Sequence, residues 1–243
     1  MKQYTSALIF AIAIVVASIF LGKAYTDRAK IAGEIQVTGL GKTDFSSDLI
    51  VWEGSFNAED EDLKQAYLNL EKNKATINDY LIKMGIKTEE LVYSAVKTNQ
   101  KTKQLYNTNG EYAGEEFVGY TLTQSVQIES KDVDKIEKVS REITELLNQG
   151  VQFYSESPRY YYTKLADLKI EMISKATEDA RLRAENIAEF SGGNLSHLES
   201  AKMGIFQITG QNSGEDYSWG GTFNTSSREK TASITMKLVY KVD

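Results

Sequence analysis

Residues 164–193 read KLADLKIEMISKATEDARLRAENIAEFSGG, and this stretch decides what the rest of the chain has to provide. Leu165, Leu168, Met172, Ala176, Ala180, Ala184 and Ile187 recur every three or four residues, which predicts one apolar face of a helix. Lys169, Lys175, Glu178, Asp179, Arg181, Arg183, Glu185 and Glu189 occupy the opposite, solvated face. The alanines keep the apolar stripe shallow, so the helix axis can lie close to whatever supports it. Gly192 and Gly193 supply the stop, because glycine reaches the left-handed conformation without a Cβ clash. A helix of this kind is marginal alone in water, so the flanking segments must form an apolar floor, read here as a sheet.

Those flanks carry strand patterns. Residues 34–38 and 48–57 alternate, the second with Ile50, Trp52 and Phe56 on one face. Gly39-Leu40-Gly41 is half of a dinucleotide-binding fingerprint, but no third glycine and no opening helix follow it. A bulge or a close backbone approach is the better account. The acidic run from Glu59 to Asp62 starts a helix predicted to reach Met84, with Leu63, Tyr67, Leu70, Lys74, Ile77, Leu81 and Met84 inward and Gly85 as the stop. Its four carboxylates suit a first helical turn, where the dipole favours negative charge, and lack the alternating ligands and central glycine of a calcium loop.

Residues 92–98 and 117–129 form the next predicted strand pair, with Tyr120, Leu122, Val126 and Ile128 on one face. The polar connection 99–116 prolongs that hairpin into an exposed tip carrying Tyr106 and Tyr112. A second amphipathic helix follows over 132–148, with Val133, Ile136, Val139, Ile143 and Leu147 inward, then a short strand over 151–156 that Ser157-Pro158 breaks. After the long helix come one strand over 195–209 and a last over 232–242, the latter with Ile234, Met236, Leu238, Tyr240 and Val242 on one face. Between them, 210–230 is short of aliphatics but places Tyr217, Trp219 and Phe223 among glycine, serine and asparagine. A loop that long in a compact domain is either disordered or functional, and its aromatics mark a contact surface. The order of elements predicts an α+β fold: a mixed or antiparallel sheet on a β-α-β-β-α-β core, with the long helix packed on it.

The N-terminus reads differently. Residues 7–21 are uninterrupted apolar or small, with Lys2 before them and Lys23 after, which fits either a bilayer span or a long signal-peptide core. Lys23, Arg28 and Lys30 run against the positive-inside rule for an exported C-terminus, so charge leaves orientation open. The expected division is 1–30 as signal-anchor and linker, and 31–243 as the folded domain, facing the membrane through 7–21. Twenty-eight Lys plus Arg against 34 Asp plus Glu give a net charge of −6, without the basic stripe that nucleic acid requires. No cysteine is present, so neither disulfides nor thiolate chemistry enter.

Candidate chemistry is sparse. His197 is the only histidine, on a predicted strand, so one chain cannot offer a multi-histidine metal site. Ser94-x-x-Lys97 and Ser227-x-x-Lys230 match the Ser-x-x-Lys pattern of penicillin-binding enzymes, but the partner motifs are missing and neither opens a helix. No enzyme activity, cofactor or metal is expected. The candidate interaction surface is Tyr106, Tyr112, Tyr217, Trp219 and Phe223.

Several of these features together resemble one family. They are the N-terminal export segment, Val37-Thr38-Gly39-Leu40-Gly41 in an early strand, a helix ending at Met84-Gly85-Ile86, and Phe117-Val118-Gly119-Tyr120 opening a strand. The alanine-rich helix closing with Gly192-Gly193 before Asn194-Leu195 completes the set. In order and spacing, residues 31–243 resemble the SIMPL-domain family of bacterial exported proteins, catalogued as a domain of unknown function. The resemblance implies a periplasmic, inner-membrane-anchored or secreted protein, with relatives known as immunogens or linked to oxidative-stress tolerance, and at least one that is channel-like, a ring of many subunits. It implies no catalytic residue and no cofactor. The expected function is a non-enzymatic envelope scaffold that self-associates, with other envelope proteins as further partners. The alternative is a monomeric module using the 210–230 loop to hold a peptide, glycan or envelope protein.

Overall fold

The computed structural model describes residues 2–29 and 33–242, with side chains described for 9–25 and 33–242. In chain order the elements are α1 (Lys2–Ala29), β1 (Gly33–Ser46), β2 (Leu49–Asp60), α2 (Leu63–Lys83), β3 (Leu91–Tyr93), β4 (Lys97–Tyr106), β5 (Tyr112–Ser130) and α3 (Val133–Glu142). Then follow β6 (Phe153–Ser155), β7 (Arg159–Tyr161), α4 (Leu165–Phe190), β8 (Leu195–Met203), β9 (Gln207–Gly210) and β10 (Glu229–Val242). The fold is α+β, and the strand registers described are antiparallel. Two compact units compose it: Met1–Gly41, Met172–Gly204 and Ile234–Asp243 in the first, Lys42–Glu171 and Ile205–Ser233 in the second.

The first unit is the floor that the long helix requires. Strands pair in the order β1-β10-β8, with Met236 opposite Met203 and Val242 opposite Leu195. Helix α4 lays Met172, Ala176, Ala180, Ala184 and Ala188 into the interior beside buried Val37, Ile234, Met236, Leu238 and Tyr240. The glycines of β1 explain the alanines of α4. A Cβ on Gly39 would lie 2.1 Å from the Ala176 carbonyl oxygen and 2.4 Å from the Ala180 nitrogen, and one on Gly41 2.3 Å from the Met172 oxygen. Strand backbone therefore rests directly on helix backbone, the close approach expected of Gly39-Leu40-Gly41. The Leu40 N–H even donates to the Asp179 carboxylate at 2.8 Å, so a helix side chain closes a hydrogen bond of the strand. The expected stripe needs one correction: Ile187 is exposed and Ala188 is buried, because the inner row runs strictly every fourth residue. Gly192, at φ 79°, ends the helix.

The second unit contains the β-α-β-β-α-β arrangement. Its sheet runs β3-β5-β2-β6, with β4 also beside β5 and β7 also beside β2. Trp52, Phe56, Leu70, Ile77, Leu81, Val126, Ile128, Ile136 and Ile143 fill the core between this sheet and helices α2 and α3. Several boundaries differ from the sequence reading. Glu59 and Asp60 finish β2 instead of opening a helix, and Asp62 is the N-cap of α2, accepting the Gln65 N–H at 2.9 Å. Leu63 and Tyr67 are exposed, while Ala66 and Tyr80 are buried in the positions the periodicity gave them. Helix α3 stops at Glu142, and a 3-10 segment, Ile143–Gln149, follows. That tighter winding turns Leu146 inward and leaves Leu147 exposed. The single strand expected over 195–209 is two, β8 and β9, interrupted where a Cβ on Gly204 would lie 2.2 Å from Thr235 Oγ1. β7 is an additional strand after Ser157-Pro158.

Among the described residues no helix is long and apolar enough to cross a membrane, so the transmembrane segment expected over 7–21 gains no support there. The side chains of residues 7 and 8 lie outside the described set. The described part of α1 exposes Ile9, Phe10, Ile12, Ile14, Val15, Val16, Ile19, Phe20 and Leu21.

Candidate functional site

Strands β9 and β10 pair from Gly210–Lys230 to Gln207–Ser233, and the chain between them, residues 211–228, forms the long loop. Although it holds no strand, its backbone is fixed by buried polar side chains. Gln207 donates from Nε2 to the Ser218 carbonyl at 2.8 Å and accepts the Thr222 N–H on Oε1 at 2.7 Å. The Ile208 N–H donates to the Thr222 carbonyl at 2.7 Å, and the Asn224 N–H donates to the Ile208 carbonyl at 3.0 Å. Glu215 accepts the Gly210 N–H at 2.9 Å and the Asn224 amide, and these donors hold its carboxyl below the usual range.

On this fixed loop the three aromatics face outward. Trp219 is 95 % exposed, and Tyr217 and Phe223 are exposed as well. Tyr217 stands at the rim of a polar cleft of about 180 Å³ that also takes in Lys42 and Asp44 of β1, Asn212, Glu215 and Thr231. Asp44 accepts hydrogen bonds from Thr231 Oγ1 at 2.6 Å and Gln211 Nε2 at 3.1 Å, which keep its carboxyl ionised below the ordinary range.

Tyr106 and Tyr112 lie elsewhere, opposite one another at the end of the β4–β5 hairpin. Their rings meet edge to face at 6.4 Å, and the Tyr106 hydroxyl donates to Gln104 Oε1 at 2.7 Å. The five candidate aromatics thus stand in two groups, on the hairpin and on the loop, and no ring contact among the described residues joins them. A family profile, SIMPL, described as a protein of unknown function (DUF541), matches residues 35–239. The chain belongs to the SIMPL-domain family. No curated protein matches it. The SIMPL match runs from β1 into β10 and so includes both the hairpin and the loop, while α1 precedes it.

Beyond the hairpin tip, the SIMPL domain carries a two-stranded arm. β5 pairs with β2 only from Tyr120 onward, whereas it pairs with β4 back to Tyr112. Over residues 101–119 the arm therefore has two edges that no described strand covers. The β4 edge carries Lys103 and Lys101, the latter already paired with Glu59 of β2, and the β5 strand carries Glu115 and Glu116. Cross-strand pairing of Lys103 with Glu116 makes this separation of charge compatible with a stable hairpin.

Under the loop lies a group that the sequence reading dismissed. Lys230 is 2 % exposed. Its Nζ donates to Ser47 Oγ at 2.9 Å, to the Tyr160 carbonyl at 3.2 Å and to the Ser227 carbonyl. It also lies 5.7 Å from the Tyr160 ring centroid. Burial pushes the ammonium down to about 8, against the pull of Glu215 and Glu229, and pushes the Tyr160 hydroxyl up to about 12. The Ser227-x-x-Lys230 spacing thus reflects a backbone tether, since the serine contributes its carbonyl and not its hydroxyl. Ser94 donates from Oγ to the Ala95 carbonyl and accepts the Ser125 N–H, and Lys97 is exposed on β4. His197 is exposed on β8 beside Ser196. The described residues contain no group of three or more potential metal ligands.

Proposed function

We propose that this SIMPL protein is a non-enzymatic component of the bacterial cell envelope that associates with copies of itself into a ring or larger homo-oligomer, tethered through its N-terminal helix. The observation that carries the reading is the β4–β5 arm, which offers two uncovered strand edges of opposite charge. Like edges repel, lysine against lysine, whereas the β4 edge of one copy suits the β5 edge of the next. Such a contact is heterologous, and heterologous contacts close into rings when the rotation permits. The tether rests on the nine exposed apolar side chains of α1 between Ile9 and Leu21, which water does not accommodate as a free surface. A periplasmic location and a role alongside other envelope proteins belong to the same proposal and rest on the resemblance to exported proteins noted from the sequence.

Sedimentation of the full chain in mild detergent tests it. A defined oligomer is expected, and replacing residues 103–116 by Asn-Gly, which closes the hairpin earlier, should return it to monomers without unfolding the domain. A monodisperse monomer at high concentration would remove the proposal. A second reading, a binding module acting through the 211–228 loop, is favoured by Trp219, an almost fully exposed indole on a loop held in one conformation.

A further inference from the structure

The polar cleft beside Tyr217 has a composition that selects among ligands. Lys42 and Asp44, two residues apart on an extended strand, point to the same side. Asp44 is anchored by two donors and Glu215 by three, the Gly210 N–H, the Asn224 amide and the Ser213 side chain, yet a carboxylate has about four acceptor positions, so both keep a lone pair for a ligand. Lys42 supplies donors from beside Asp44, whose carboxyl its charge helps to lower. Asn212, at φ 56°, is the one non-glycine residue at positive φ among those described, and its amide both donates and accepts.

Two fixed carboxylates disfavour an anionic ligand, the ammonium disfavours a metal ion, and the lining disfavours an apolar one. A ligand whose groups each donate and accept, a polyol, satisfies all of these side chains. The size agrees: about 180 Å³ is below the range of cofactor and drug-sized sites and accommodates about one six-membered ring. The exposed Tyr217 ring at the rim offers an apolar face of the kind that packs against ring C–H groups. Trp219 is two residues further on, within about 7 Å along the chain, and presents a second face for a neighbouring unit.

We infer that this cleft binds one pyranose unit of an uncharged saccharide chain, with Asp44, Glu215, Lys42 and Asn212 holding its hydroxyl or amide groups and Tyr217 and Trp219 stacking on successive units. The inference rests on the second reading above, that the loop is a contact surface, and supplies its ligand class. Saturation-transfer NMR and titration calorimetry on the full chain in detergent test it, with chitotetraose, cellotetraose and maltotetraose as probes. Binding of at least one is expected, with chitotetraose marking an N-acetylated source and the others a plain glucan. Tyr217→Ala should weaken it about tenfold or more, and Trp219→Ala should weaken the tetrasaccharide about tenfold while sparing the monosaccharide. Asp44→Asn, which keeps the shape of the side chain, should also weaken binding with the thermal midpoint retained. No saturation transfer from any probe, or binding indifferent to Tyr217→Ala and Trp219→Ala, overturns the inference. If no saccharide binds but Trp219→Ala abolishes capture of a peptide selected by phage display, the saccharide falls and the loop reading stands; if both assays are silent, both fall.

Discussion

Lys230 offers a test in which the structure sets sign and size. Its ammonium is buried, and burial lowers it from 10.5 to about 8. A base whose folded value lies below its unfolded value is penalised when both states are charged, at low pH. The penalty is relieved as pH rises from the folded toward the unfolded value, and it is gone above 10.5. The full penalty is about 3 kcal/mol, and about 2–3 kcal/mol of it should disappear between pH 7 and pH 10. Lys230→Met removes the ionisation together with the bonds to Ser47, Tyr160 and Ser227, a loss of about 1 kcal/mol for each acceptor. At pH 7 the two effects nearly cancel, so the variant should match the parent. By pH 10 most of the penalty is gone and the lost bonds dominate, so the variant should be less stable by about 2–3 kcal/mol. Urea unfolding of both proteins across this range reads the gap directly, because titration of every other group is shared and drops out of the difference. Glu215, whose carboxyl is held below the usual range, stays ionised throughout, and Tyr160, at about 12, stays neutral. Parallel stability curves, with a gap that does not widen with pH, would refute the reasoning.

Gly39→Ala should destabilise the protein by about 3 kcal/mol or more in thermal or urea unfolding, since the added methyl meets helix backbone that cannot swing aside. Gly33→Ala, where the new Cβ makes an ordinary 3.7 Å contact, is the control and should be nearly silent. Gln207→Ala strands the Thr222 N–H and Ser218 carbonyl, costs about 1–3 kcal/mol, and should open residues 211–221 to limited proteolysis. Asp62→Ala removes the α2 cap and should cost about 1 kcal/mol in the same unfolding assay. Trp219→Ala, touching almost nothing in the fold, should leave stability within about 0.5 kcal/mol.

Where a pattern is repeated and one-sided, the sequence was enough. The Met172-Ala176-Ala180-Ala184 row announces a helix that must lie close to its support, and Gly39 and Gly41 are the surface that accepts it. The alternation of Leu122, Val126 and Ile128 likewise marks the core face of β5. The misreadings arise where a local preference competes with strand pairing or winding. Glu59 and Asp60 suit a first helical turn, but β2 keeps them because Thr121 and Tyr120 stand opposite as partners. Leu147 fits a 3.6-residue period, but the chain tightens to 3-10 after Glu142 and the period changes. The split of 195–209 into two strands depends on Thr235, some thirty residues away, which no local pattern contains.

The candidate site was legible only in its outward half. Tyr217, Trp219 and Phe223 stand out in composition because aromatics are conspicuous among small polar residues. What makes them a surface lies beneath and does not stand out. Gln207, Asn224, Lys230 and Ser47 are polar residues in ordinary positions whose burial appears only once β1, β7, β9 and β10 come together. Buried polar groups tolerate few arrangements, because each partner left unmade costs as much as several surface contacts provide. A loop supported this way meets a ligand with its backbone already ordered, so the ordering cost that weakens binding by flexible segments falls on folding instead. This separates the two surfaces physically. The arm gains from edges that any matching strand can cover, whereas the loop, fixed by Gln207 and Glu215 and tied to Lys230 through Ser227, suits recognition of one shape.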